Sequence, residues 1–240
     1  MAKTTNPDPV FDHYAASYDD NLNYALAVTG AEKDFFAQSR IAWLSDCLRS
    51  LSERPQSAMD YGCGNGSSSP LLLSILGLSV VVGVDVSPAI IAQAQERYAA
   101  SNIRFATVAE PVPPGKLDLA YCNGVFHHID KSERPAAMEY VSRALRVGGL
   151  FSLWENNPWN PATRYVMSRC AFDKDAQMLT VNETKQLLRG WGFTTVRVDF
   201  LFIFPEFLKP LRPLERWVSH LPIGAQYQVL ARKDAESRKP

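Results

Sequence analysis

From Gln56 onward the chain alternates short apolar runs with helical stretches, and this alternation limits the fold more than any other feature of the sequence. Ala58–Tyr61 ends a first strand, and Ser67–Leu76 reads as a helix. Val80–Val84 is continuous and β-branched, as a strand covered on both faces should be. Ser87 and Pro88 supply an N-cap and a first helical position for a helix that runs through Ala100. Strands Ile103–Val108 and Leu117–Cys122 follow, then a helix over Glu133–Leu145, the Gly148-Gly149 stop and a strand Leu150–Trp154. Strand and helix in turn predict a parallel sheet with helices on both faces.

The flanks break this rhythm. Residues 11–52 read as a helical cap rich in aromatic side chains. Thr180-Val-Asn-Glu183 is a capping box opening a helix that ends near Gly190. A long strand over Thr194–Phe204 and a last one over Gln226–Ala231 enclose a Pro-punctuated segment too long for an ordinary hairpin loop. The expected organisation is one domain: a cap over 1–55, a core over 56–204 and 225–233, and an insertion with short helical pieces over 205–224.

Charge and composition exclude several classes. Among 240 residues Lys+Arg and Asp+Glu both number 25, so there is no basic track for nucleic acid. The first ten residues lack the apolar core of a signal peptide, and the longest apolar run, Pro70–Val84, is too short to span a bilayer. Cys47, Cys63, Cys122 and Cys170 stand far apart without a CxxC pair, so buried thiols are expected rather than disulfides or a zinc site. These features predict a cytoplasmic protein with no stable membrane insertion and no metal.

The turn after the first strand, Met59-Asp-Tyr-Gly-Cys-Gly-Asn-Gly66, lies where an open α/β sheet binds its ligand, beyond the carboxyl ends of the strands. Asp85 ends the second strand, where an acid takes a ribose diol. Gly62-x-Gly64-x-Gly66 is not the GxGxxG of dinucleotide sites, which makes NAD a poor fit. Asp60 would repel a pyrophosphate and favour an ammonium. A ligand with a ribose at one end and an α-amino group at the other fits S-adenosylmethionine (SAM).

These residues resemble the class I SAM-dependent methyltransferases, in the branch that modifies small molecules. MDYGCGNG looks like the family's first motif, VVGVDVSPAII its acidic motif and LDLAYCNGVFHHI its fourth-strand motif, while ALRVGGLFSLWE resembles the helix, turn and strand that follow. FDHYAASYDD is similar to the segment that closes over the cofactor in quinone-type members. The resemblance covers roughly residues 10–200. It implies a Rossmann-like α/β fold, with a seven-stranded, mostly parallel sheet and an antiparallel final strand. It also implies SAM as cofactor: backbone around Gly62, Gly64 and Gly66 beneath the methionine and ribose, Asp85 on the ribose hydroxyls, Val86 on the adenine, and Asn123 and Gly124 at the methionine end. Where relatives often read Gly-Asp-Ala, this chain has Thr107-Val108-Ala109, which leaves the adenine amino-group contact open.

Other candidates carry two readings each. His127 and His128 stand at the mouth of the fourth strand, where either is a candidate base or a wall of the cofactor pocket. Glu155, after the fifth strand, either orients a polar acceptor or belongs to a solvated turn. Arg40 either pairs with the methionine carboxylate or lies on a solvated helix face. Tyr14 and Tyr18 either cover the cofactor or pack their helix down. The insertion either walls an acceptor pocket or packs as an excursion, ahead of membrane contact. The expected function is methyl transfer from SAM to a small molecule, at oxygen or carbon. The alternatives are a SAM-binding fold with other chemistry and a protein methyltransferase.

Overall fold

The computed structural model describes residues 30, 33–110, 114–170, 173 and 176–235. In chain order the elements are α1 (Lys33–Ser50), β1 (Ser57–Tyr61), α2 (Ser68–Leu76), β2 (Val80–Asp85), α3 (Pro88–Tyr98), β3 (Ile103–Thr107) and β4 (Leu117–Asn123). They continue with α4 (Arg134–Ala144), β5 (Leu145–Asn156), α5 (Pro161–Arg169), α6 (Val181–Gly190), β6 (Phe193–Leu201), a 3-10 stretch (Glu206–Leu214), α7 (Glu215–Val218) and β7 (Gln226–Lys233).

The seven strands form one sheet in the order β3-β2-β1-β4-β5-β7-β6. The first five pair in parallel, and β7 runs antiparallel between β5 and β6. The expected mostly parallel sheet with an antiparallel last strand is therefore present. Strand order reverses between β1 and β4, and the crevice above that reversal is where such sheets take ligands.

Alternation along β1 divides the core. Met59 and Tyr61 point to one face with Phe126, Phe151 and Tyr227. Ala58 points to the other, with Leu119, Trp154 and Leu230, under Ile41, Leu44 and Leu48 of α1. Full burial of Ile41 and Leu44 contributes about 1.5–3 kcal/mol each, which docks the α1 part of the cap onto the sheet.

Local chemistry sets the helix starts. Ser87 Oγ accepts from Ile90 N–H at 3.2 Å with Pro88 at the first position. The capping box is complete: Thr180 Oγ1 accepts from Glu183 N–H, and Glu183 Oε2 accepts from Thr180 N–H at 2.8 Å. Two elements differ from expectation. Strand β5 begins at Leu145, so it is longer than the apolar run suggested. Helix α5 was not expected, although Asn160 Oδ1 accepts from Thr163 N–H and Pro161 opens it, the signature of a capped start.

The insertion holds short helical pieces, as expected, and it is anchored by one side chain. Glu215 is buried and its carboxylate accepts from the backbone N–H of Phe202, Ile203 and Phe204, each at 3.0 Å. All four cysteines are buried free thiols. Among the described residues no helix is long and apolar enough to cross a membrane.

Candidate functional site

The turn after β1 is closed by backbone and carboxylate together. Gly62 and Cys63 N–H both donate to Val84 O, at 2.8 and 3.0 Å. Gly64 N–H donates to Asp85 Oδ2 at 3.0 Å, and Ser87 N–H donates to Asp85 Oδ1 at 3.1 Å. Gly62 and Gly66 are required twice over. Their φ values are +69° and +82°, and an added Cβ would fall 2.3 Å from Val125 Cγ2 or 2.8 Å from the Phe105 ring. At Gly64, by contrast, nothing lies within 4 Å of an added Cβ, so the middle of the turn faces open space.

Beneath the turn sits Asp60, only 2% exposed, with Ser69 Oγ of α2 donating to its Oδ2 at 2.8 Å. Burial drives its carboxyl up to about 7 against the pull of that hydrogen bond, and nearby Asp85 adds to the rise. Asp60 pairs in register with Tyr121 on β4, and Tyr121 OH accepts from Arg40 Nε at 3.2 Å. Arg40 is buried, and its Nη1 also donates to Gln226 Oε1 at 2.9 Å. The reading of Arg40 as part of a solvated helix face is thus corrected: its guanidinium is buried and joins α1 to β4 and β7.

Val86, next to Asp85, is 42% exposed although apolar. Across the reversal Asn123 ends β4 with its Oδ1 buried and without a hydrogen-bond partner among the described residues. Gly124 follows at φ +66°. A buried acid at the floor, an open turn, an apolar side chain left exposed and an orphaned amide oxygen are what a ligand with a ribose, an apolar ring and an amino-acid end would complete. The residues present fit SAM. Val108 packs against the core, and its N–H donates to Asp85 O at 3.0 Å.

Beyond β4 a buried charge cluster appears. His127 is 3% exposed and its Nδ1 lies 2.5 Å from Glu155 Oε2. Glu155 is fully buried, and its Oε1 accepts from Phe126 N–H at 2.9 Å. Asp173 Oδ1 lies 3.3 Å from His128 Nε2 and 3.7 Å from His127 Nε2. Burial opposes charge on His127, but Glu155 and Asp173 outweigh it and push the imidazole up to about 10. Burial and the neighbouring His127 hold His128 below its ordinary value. Burial would raise Asp173, yet the two imidazoles facing it hold it at about 2. The solvated-turn reading of Glu155 is corrected: the side chain is fully buried, with its oxygens on Phe126 N–H and His127 Nδ1.

The corner is tied down by residues that sequence reasoning missed. Arg134 Nε donates to Phe126 O and Ile129 O at 3.2 and 3.0 Å, and its Nη2 donates to Gln177 O at 3.1 Å. Gln177 N–H donates to His127 O at 2.7 Å. Arg134 and Asp173 lie outside every motif, so no local pattern marks them. Trp159, Phe207 and Trp217 are 75%, 81% and 60% exposed on the loop after β5 and the insertion. Tyr14 and Tyr18 lie outside the described residues.

Such a sheet with a Gly-rich turn at its reversal defines a Rossmann-like ligand-binding domain. Residues 58–149 match the family model described as a methyltransferase domain. Over that segment, and in its fold, the chain is similar to the class I SAM-dependent methyltransferases. Two curated relatives are trans-aconitate 2-methyltransferases of Rhodopseudomonas palustris. The protein of strain BisB5 is 28% identical over 169 residues, covering 68% of this chain and 60% of the relative. That of strain BisA53 is 28% identical over 207 residues, covering 84% and 71%. The first match thus spans less than two thirds of its relative. Among solved structures, a SAM-dependent methyltransferase from Mesorhizobium loti superposes with a TM-score of 0.57 at 22% identity, covering 78% of this chain and 96% of that one.

Proposed function

We propose that the protein transfers a methyl group from SAM to a small oxygen-bearing acid or related metabolite. The observation that carries this reading is the chemistry of the strand ends flanking the reversal: Asp60 under the turn, Asp85 at its rim and the orphaned Asn123 Oδ1 opposite. Bound SAM supplies a methyl on a sulfonium, an electrophile strong enough that the protein's work is alignment. Asp60 offers negative charge to the ammonium end, Asp85 accepts from the ribose hydroxyls, and Val86 covers the adenine. Gly64 lets the backbone pass close to the ligand. Asn123 Oδ1 accepts from the amino-acid end.

A small carboxylic acid as acceptor is supported by the names of the curated relatives. Glu155 is assigned a positioning role, because it holds His127 rather than facing a ligand. Calorimetry tests the cofactor half: SAM and its demethylated product bind, NAD does not, and Asp85→Ala weakens SAM binding by about 1–3 kcal/mol. Unchanged affinity in that variant removes Asp85 from the ribose. The acceptor half is read by SAM-dependent mass gain across a panel of small carboxylic acids, trans-aconitate among them. A panel without any product would reject the acid class.

A further inference from the structure

We propose that His127, His128 and Asp173 form a binding site for one divalent transition-metal ion of the zinc class. Each side chain offers one ligand atom, and the three atoms all lie within 4.8 Å of one another. Both imidazole Nε2 atoms approach the same oxygen, Asp173 Oδ1, at 3.3 and 3.7 Å. A network built only of hydrogen bonds gains by spreading donors over both carboxylate oxygens, and 3.7 Å is too long for such a bond. Ligands held about 2 Å from one zinc ion stand roughly 3–3.5 Å apart, close to the 3.3 and 3.7 Å of the two histidine–carboxylate pairs.

The surroundings favour a metal in a second way. His127 Nδ1 faces Glu155 Oε2, which leaves Nε2 as the atom directed at Asp173. A carboxylate behind a histidine fixes the ring and raises its basicity as a ligand, the arrangement found behind metal-bound imidazoles. The two rings are close, with centroids 4.1 Å apart, so a shared cation between their nitrogens costs less than charge on both. Two carboxylates, Glu155 and Asp173, offset the charge of a divalent ion, and burial at 3% for His127 keeps water from competing. Two imidazoles and one carboxylate select a borderline ion such as Zn2+, Co2+ or Fe2+ over Mg2+ or Ca2+. Three protein ligands leave at least one position for water or for an oxygen of an acceptor. The site does not depend on methyl transfer being the reaction.

The test uses the full chain without a histidine tag, stripped with a chelator and dialysed. Co2+ titration should give visible d–d absorption saturating at one ion per chain, and Zn2+ should displace it. His128→Ala and Asp173→Asn should each weaken Co2+ binding more than 100-fold, and Glu155→Gln by 10–100-fold. Absent absorption, or binding unchanged in the His128→Ala/Asp173→Asn double variant, overturns the proposal. If a variant does not fold, X-ray absorption on the zinc-loaded wild type decides: two imidazole ligands uphold the site, fewer overturn it. SAM calorimetry on the same stripped protein separates failure of this site from failure of the methyltransferase reading.

Discussion

The two sides of the crevice are built by different means. On the β1–β2 side the ligand-facing parts are contiguous in sequence and largely backbone: a turn of five residues, locked by Asp85 through Gly64 N–H. On the β4–β5 side the parts are ionisable side chains from residues 127, 128, 155 and 173, packed where water is scarce. A backbone cradle tolerates little change in shape, while a charged cluster tolerates little change in charge. The first is read in glycines and the second only in three dimensions.

That contrast can be broken or sharpened by substitutions at four positions. The largest effect belongs to Gly66→Val, which puts a β-branched residue at φ +82° against Phe105 and Ala94. Backbone strain and overpacking together cost roughly 2–6 kcal/mol, and urea unfolding should show the loss together with abolished SAM binding. Next comes Glu155→Ala, which leaves His127 Nδ1 and Phe126 N–H without their buried carboxylate and should cost about 3–5 kcal/mol. If shape mattered on this side as on the other, Glu155→Gln would restore all of it; retention of half the loss or more marks the charge.

Asp60 supplies a test through pH. Its carboxyl stands at about 7 in the folded chain against an ordinary 3.8, so the folded state binds the extra proton between those values. Stability therefore falls as pH rises from about 4 to about 7, by at most roughly 4 kcal/mol at about 1.4 kcal/mol per pH unit. Asp60→Asn should flatten that slope in the ligand-free protein, measured by denaturant midpoints across the range. Because the ionised form is the one that meets an ammonium, SAM affinity should rise with pH through about 7 in the wild type and not in the variant.

The smallest effect is expected at Trp217, 60% exposed on the insertion. Trp217→Ala should change stability by no more than about 0.5 kcal/mol. A raised KM for the acceptor with SAM affinity intact would make the insertion a pocket wall; unchanged kinetics would leave it as packing.

Much of the first side was legible in the sequence because its determinants are local. Residues 60–66 and 85–88 encode turn, carboxylate and N-cap within short spans, and the strands around them are β-branched runs. Arg40 was unreadable because its partners, Tyr121 and Gln226, stand 81 and 186 residues away. Asp173 was unreadable for the same reason, since only folding brings it to the histidines. Helix α5 is a different case: Asn160-Pro161 marks its start, but a solvated turn is one of the two readings of the segment after the fifth strand.

Strand β7 has a consequence for how the chain is made. It is the last strand in order yet lies between β5 and β6. During synthesis β5 emerges with one side of its backbone lacking a neighbour, and β6 has no place in the sheet until Gln226–Lys233 arrive. The nascent protein therefore carries an open pairing edge for some seventy residues of elongation, a period in which chaperone cover or fast translation decides whether it joins its own strand or another molecule's.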